Sequence, residues 1–230
     1  MRSMLVIGLG RFGTHLAKNL IQLNNEVMVV DKDEESVSRL EPYVTQAQIG
    51  DCADGEVLQA LGVGNFDVCF VCISDDFQSS LEITCLLKEM GARYVVSKAD
   101  REIHAKFLLK VGADAIVHPE RDMAQRTAAL YSAKNVFSYT ELSDAYAVSE
   151  VKTPGTWAGK TVRDVNVRSA HQVNIIGVKR GQMILPMTDP DYVFQLEEHL
   201  VMAGGKEDLL KIADMDLSDR EKGDILQGIS

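Results

Sequence analysis

Gly8, Gly10 and Gly13 stand in a G-x-G-x-x-G spacing, Gly8-Leu9-Gly10-Arg11-Phe12-Gly13, and Asp31 follows Gly13 by 18 residues. Each type suits one chemistry, the capture of a nucleotide's phosphates and ribose. Gly8 permits a tight turn, Gly10 lets the backbone come close to a pyrophosphate, and Gly13 lets a helix lie tightly on a strand. A helix opening at the turn offers unpaired N–H groups and a positive dipole end to phosphate. Asp31 can accept hydrogen bonds from both ribose hydroxyls, and its charge repels a 2′-phosphate, so NAD, ATP or ADP fits better than NADP. Arg11 is a cation at a helix start, where the dipole opposes it; a bound polyphosphate explains that placement, a solvated arginine being the plainer alternative. Lys98 at the end of the fifth strand, Asp51-Cys52 after the third and Ile73-Ser74 after the fourth are expected in the same crevice.

Other constellations lead nowhere. Cys69 and Cys72 have a CxxC spacing, but inside a strand residues three apart point to opposite faces, so neither a redox pair nor a zinc site is expected. Five histidines, His15, His104, His118, His171 and His199, show no H-x-x-x-H or H-E-x-x-H spacing. There is no G-x-S-x-G elbow and no Walker G-x-x-x-x-G-K-[ST] sequence, so ATP hydrolysis is not expected although ATP binding is. A regulatory, non-enzymatic chain is the expectation; the alternative is an NAD-dependent oxidoreductase with a small substrate domain.

The elements that must hold these residues are legible from the periodicity. Short apolar runs at Met4–Ile7, Glu26–Val30, Val44–Ile49, Asp67–Ile73, Arg93–Ser97 and Ala115–Val117 predict parallel strands covered on both faces. Helices are predicted between them, at Phe12 to Leu23 (apolar at Phe12, Leu16, Leu20 and Leu23), Glu34–Leu40, Gly55–Leu61, Ser79–Met90 and Glu102–Val111, with a further helix from Glu120 to Lys134 opened by Pro119. The expected fold is therefore α/β, a Rossmann-like doubly wound parallel sheet over residues 1–140. Strand-like runs at Ala147–Lys152, Val173–Lys179, Met183–Leu185 and His199–Met202, with helical Thr161–Val165 and Lys206–Ile212, predict a small α+β domain over 141–214. Residues 215–230 read as a loosely held tail.

Composition narrows the class. The chain has 230 residues, 46% of them apolar and 25% charged, with 34 acidic against 24 basic residues and a net charge of −10. These are globular values, and the balance argues against nucleic acid as a partner. No apolar run approaches the roughly 20 residues of a membrane span, no secretory leader is evident, and the four cysteines suit a reducing cytoplasm.

The motifs together resemble the RCK (regulator of potassium conductance) family, and within it the Ktr- and TrkA-type cytosolic regulatory subunits of potassium uptake channels. The resemblance is carried by Val6 to Gly13, Val30-Asp31-Lys32, Gly50-Asp51-Cys52-Ala53-Asp54, Val96-Ser97-Lys98-Ala99 and Leu142-Ser143-Asp144. Val165-Asn166-Val167-Arg168 adds to it, and above all Gly112-Ala113-Asp114 through His118-Pro119-Glu120-Arg121-Asp122-Met123. It implies dimers assembled into an octameric ring beneath a separate membrane-embedded channel subunit, at the inner face of the cell membrane. It also implies ATP or ADP, or NAD/NADH, at the Gly-rich turn. Arg11 and Lys98 would meet terminal phosphates, Asp31 the ribose, and Asp51 and Cys52 the adenine. Glu120 would help hold Mg²⁺ or Ca²⁺, although a glutamate after Pro119 is also simply a good helix start. In the smaller domain the family resemblance implies cyclic di-AMP as a ligand, with Arg168, Asn174, Ile175, Ile176 and Pro186 as its positions. The sequence departs from the family pattern near Gln195 to His199.

Overall fold

In the computed structural model, which describes residues 1–132 and 135–215, the first half alternates strand and helix. β1 (Ser3–Ile7) leads to α1 (Arg11–Gln22), β2 (Glu26–Asp31) to α2 (Glu34–Leu40), and β3 (Gln46–Ile49) to α3 (Gly55–Leu61). Then come β4 (Val68–Val71), α4 (Phe77–Glu89), β5 (Val95–Lys98), α5 (Glu102–Lys110), β6 (Ala115–Val117) and α6 (Pro119–Ser132). The strands pair in parallel in the order β3-β2-β1-β4-β5-β6. The chain thus runs outward from β1 to β3, returns to β4 beside β1, and runs outward again. The crevice at the carboxyl ends of β1 and β4 is the switch point where such sheets take ligands.

Alternation along the strands sorts the side chains onto two cores. Leu5, Ile7, Val30, Cys69, Val71 and Val95 pack on one face, and Met4, Val6, Val27, Val29, Val68 and Cys72 on the other. Cys69 and Cys72 fall on opposite faces, as their spacing predicts. β3 departs from the expectation of a fully covered strand: its pattern Gln46-Ala47-Gln48-Ile49 is half-exposed because it lies at the sheet's edge. α2, α3 and α4 are capped by Asp33, Asp54 and Asp76, whose carboxylates accept backbone N–H groups of the first turn, each cap contributing about 1 kcal/mol.

The second sheet is antiparallel, in the order β10-β9-β11-β8-β7. Its strands are β7 (Val136–Glu141), β8 (Tyr146–Lys152), β9 (Val173–Arg180), β10 (Met183–Pro186) and β11 (His199–Gly205). α7 (Val162–Val165), α8 (Val167–His171) and α9 (Lys206–Ala213) accompany it, around a core that includes Trp157, Phe194, Leu200, Met202 and Ile212. Thr161 and Asp164 form a capping box that starts α7.

Contacts divide the chain between Asp122 and Met123, within α6, whereas the periodicity placed the boundary near 140. Val136–Glu141, not read as a strand, pairs with β8 and so joins the second sheet, and Leu130 of α6 packs against that sheet's core. The last residues of the helix expected to reach Lys134, and the tail expected beyond Met215, lie outside the described residues.

Candidate functional site

The Gly-rich turn is built by close approach. Gly8 follows β1 at φ +91°, a conformation that side chains disfavour, and donates its N–H to the Val30 carbonyl at 3.0 Å. A Cβ on Gly13 would lie 1.9 Å from the Gly8 carbonyl oxygen, so α1 can rest on the turn only with a bare α-carbon there. Gly10 is the converse case: nothing lies within 4 Å of where its Cβ would project. That open space faces the start of α1, which has no side-chain cap and no acidic residue in its first turn. Its leading N–H groups are therefore available to an anion. Arg11 opens the helix, exposed, and has no hydrogen bond or ion pair among the described residues.

Beside the turn lies a cleft of about 210 Å³. Gly8, Gly10, Asp31, Lys32, Asp51, Cys52 and Ile73, all expected at the site, line it. The Asp31 carboxylate is aimed by two backbone donors: Leu9 N–H reaches Oδ2 at 2.5 Å and Asp33 N–H reaches Oδ1 at 2.9 Å. Asp51 accepts the Ala53 N–H at 3.0 Å, which shapes the turn into α3. Burial pushes the Cys52 thiol up to about 12, with the charges of Asp51 and Asp31 adding to the shift, so it stays protonated and is no nucleophile.

Other expected residues fall elsewhere. Leu9 and Phe12 turn their side chains into the apolar cluster beneath the sheet, so their part in the turn is played by backbone. Ser74 and Lys98 do not line the cleft. Lys98 ends β5 with its side chain 11% exposed, and its ammonium is held by Glu120 at 2.9 Å and Asp100 at 3.4 Å. Burial alone would lower its pKa; the hydrogen bond to Glu120 and the charges of Asp100 and Glu120 outweigh that and raise it. Its charge reaches Cys72 in the cleft wall, where it works against the burial that raises the thiol to about 12. Asp75, Asp76 and Ser79 line the cleft and were not expected there. The available signal was an Asp-x-x-Ser cap directly after a switch-point strand.

The residues fit a divalent ion poorly. Among the described residues no group of three or more His, Cys, Asp or Glu side chains could hold a metal, and Glu120 is paired with Lys98.

In the second domain a cleft of about 340 Å³ is lined by Arg163, Arg168, Asn174, Ile175, Met187 and Asp189, among others. Arg168 Nε donates to Asn174 Oδ1 at 2.7 Å, which orients the guanidinium. Ile176 and Pro186, expected with them, do not line it. A register shift between Val201 and Met202 leaves Ile176 as the extra residue of β9, exposed, and Pro186 lies on the edge strand.

A doubly wound sheet with an uncapped Gly-rich turn at its switch point, followed by a small antiparallel domain, defines a two-domain protein of the nucleotide-binding Rossmann-like class. The family model of the TrkA-N domain matches residues 4–119, and that of the TrkA-C domain residues 147–215. Ktr system potassium uptake protein C of Bacillus subtilis (strain 168) is 39% identical over 204 residues, covering 89% of this chain and 92% of that one. Ktr system potassium uptake protein A of Vibrio alginolyticus is 31% identical over 204 residues, covering 89% and 93%. Among solved structures, that of the GsuK RCK domain superposes with a TM-score of 0.64 at 20% identity, over 95% of this chain and 48% of that one. The chain belongs to the TrkA/Ktr family of potassium uptake proteins, and its fold is that of the RCK domains.

Proposed function

We propose that this chain is the regulatory subunit of a potassium uptake system and that it senses adenine nucleotides at the Gly8–Gly13 turn. The observation that carries the reading is the uncapped start of α1 beside a cleft whose Asp31 carboxylate is held by two backbone donors. The nucleoside would occupy the 210 Å³ cleft, with Asp31 at the ribose and Asp51 and Cys52 near the base. The phosphates would cross the open space at Gly10 toward Arg11 and Lys98. ATP and ADP are the ligands proposed, with NAD or NADH the alternative; the solved GsuK channel is described as bound to NAD, and another GsuK crystal structure as bound to ADP.

Regulation requires that ATP and ADP differ in affinity for two conformations of the assembly, since only differential binding shifts an equilibrium. The assembly proposed is an octameric ring of four dimers, at the cytoplasmic face of the membrane, contacting a membrane-embedded potassium channel subunit. The family relatives named as potassium uptake proteins support that partner. No helix among the described residues is long and apolar enough to cross a membrane. Calorimetry with ATP, ADP and NAD, with light scattering on the same samples, tests the reading. Binding of ATP and ADP with different affinities, at a mass near eight chains, is the expected result. Steady NADH formation from an alcohol or acid substrate would replace it with the oxidoreductase alternative.

A second reading concerns the smaller domain. The Arg168 guanidinium, oriented by Asn174 over the 340 Å³ cleft, favours a phosphate-bearing ligand such as cyclic di-AMP. Loss of cyclic di-AMP binding in Arg168→Ala, with ATP binding kept, is the expected outcome; unchanged affinity would remove Arg168 from the site.

A further inference from the structure

Met187, Thr188, Asp189 and Pro190 line the second-domain cleft, yet they belong to a connection between β10 and β11 with little secondary structure of its own. An isolated bridge from Val193 to Thr161 and the buried ring of Phe194 tie its middle to the domain. At its end, directly before β11, stands Glu198 with its side chain 4% exposed. A carboxylate is costly to bury unless charge and hydrogen bonds compensate it, and here both do. The Tyr192 hydroxyl lies 2.7 Å from Oε1 and 2.6 Å from Oε2, Arg180 Nε donates to Oε1 at 2.5 Å, and the Gln195 N–H donates to Oε2 at 3.3 Å. Arg180 Nη2 also donates to the Tyr192 hydroxyl oxygen at 3.0 Å, which leaves the tyrosine proton for Glu198. Burial raises the Tyr192 pKa and the bond to Glu198 adds to the rise, against Arg180, so the hydroxyl remains a donor.

None of Glu198, Tyr192 and Arg180 lines the cleft. Tyr192 nevertheless joins two segments that do. Its carbonyl accepts the Val162 N–H at 3.1 Å, and the Pro190 carbonyl accepts the Arg163 N–H at 3.0 Å. Arg163 Nε pairs with Asp191 at 3.0 Å as well. Val162 and Arg163 of α7 line the cleft together with Arg168. The α7 segment and the connection are thus bonded to each other beside the ligand space, and the residue at their junction is held in turn by a buried carboxylate.

We propose that Glu198 is a positioning residue for the second-domain cleft: through Tyr192 it fixes residues 187–190 against α7, and so sets the span across which Arg168 meets a phosphate-bearing ligand. The inference rests on the second reading above and goes beyond it, since it gives a role to a carboxylate that touches no ligand. The tether falls at Gln195 to His199, where the sequence departs from the family pattern.

The test uses the full chain, with cyclic di-AMP and ATP titrated calorimetrically. Glu198→Ala removes the acceptor of several donors at once, so the informative variant is Tyr192→Phe, which deletes only the hydroxyl. It is expected to weaken cyclic di-AMP about tenfold, the scale of one hydrogen bond to a charged group, and to leave ATP unchanged. Amide hydrogen exchange should quicken at Thr188, Asp189 and Asp191 but not at Leu200 to Met202 in β11, and bound cyclic di-AMP should slow it again. Ile212→Val, a core substitution that does not line the cleft, controls for lost stability alone: the melting temperature should fall and neither affinity change. Unchanged cyclic di-AMP affinity in Tyr192→Phe, or an equal loss in Ile212→Val, would overturn the proposal while leaving the Arg168 reading standing. A wild-type chain that did not bind cyclic di-AMP would defeat that reading, and this proposal with it.

Discussion

Gly13 and Gly10 are three residues apart and predict opposite phenotypes when each becomes alanine. At Gly13 the added Cβ would stand 1.9 Å from the Gly8 oxygen, 3.1 Å from its carbonyl carbon and 3.2 Å from Cys72 Cβ. The first of these atoms is backbone in a turn already at φ +91°, so relief means moving α1 off the sheet by about 1 Å. Overpacking of this kind costs about 3 kcal/mol, which for a chain of this size lowers the melting temperature by roughly 10 °C. At Gly10 the Cβ meets nothing within 4 Å, and the stability cost is below about 1 kcal/mol. The methyl does, however, enter the space proposed for the phosphates, and ADP affinity should fall at least tenfold, or about 1.4 kcal/mol. Calorimetric melting and ADP titration of both variants separate the effects. If Gly13→Ala melted within about 2 °C of wild type, the close-approach argument would be wrong. If Gly10→Ala bound ADP normally, phosphates do not pass over that position.

Asp31→Asn should weaken ADP about tenfold, since a charged acceptor for hydroxyls is lost, and should shift the NAD-to-NADP preference toward NADP; competition titration reads both. Burial lowers the pKa of His104, against the opposing charge of Asp100 and with Arg101 and His118 adding to the shift. The unfolded chain therefore takes up this proton first as pH falls below about 6.5. Stability is accordingly full above that pH and declines beneath it, and urea midpoints should fall less steeply toward pH 5.5 in His104→Leu than in wild type. Cys52, Cys69 and Cys72 are buried with thiols raised to about 12 by desolvation. A thiol reagent at pH 7.5 should therefore label Cys85 first and the other three only in denaturant; a Cys69–Cys72 disulfide in the native protein would contradict the opposite-face placement.

By itself the sequence determined what local periodicity encodes. Alternation at Met4 to Ile7 assigns Leu5 and Ile7 to one core and Met4 and Val6 to the other. The glycine spacing predicts a turn that steric contact enforces at Gly13, and Asp31 was legible because it ends a strand at a set distance from that turn. The failure of CxxC as a redox pair was legible for the same reason, the two-residue period of a strand. Tertiary structure alone decided which charges meet. Lys98 is read as a free phosphate ligand until its ion pair with Glu120, 22 residues away on another element, is known. Asp75 and Asp76 enter the cleft only because β4 lies beside β1. Val136–Glu141 is a strand because β8 supplies its hydrogen bonds, and Ile176 is left without a partner residue only because β11 pairs with β9 in a shifted register. Dihedral preference and burial pattern act over a few residues, whereas ion pairing and strand register depend on distances between elements that no local pattern contains.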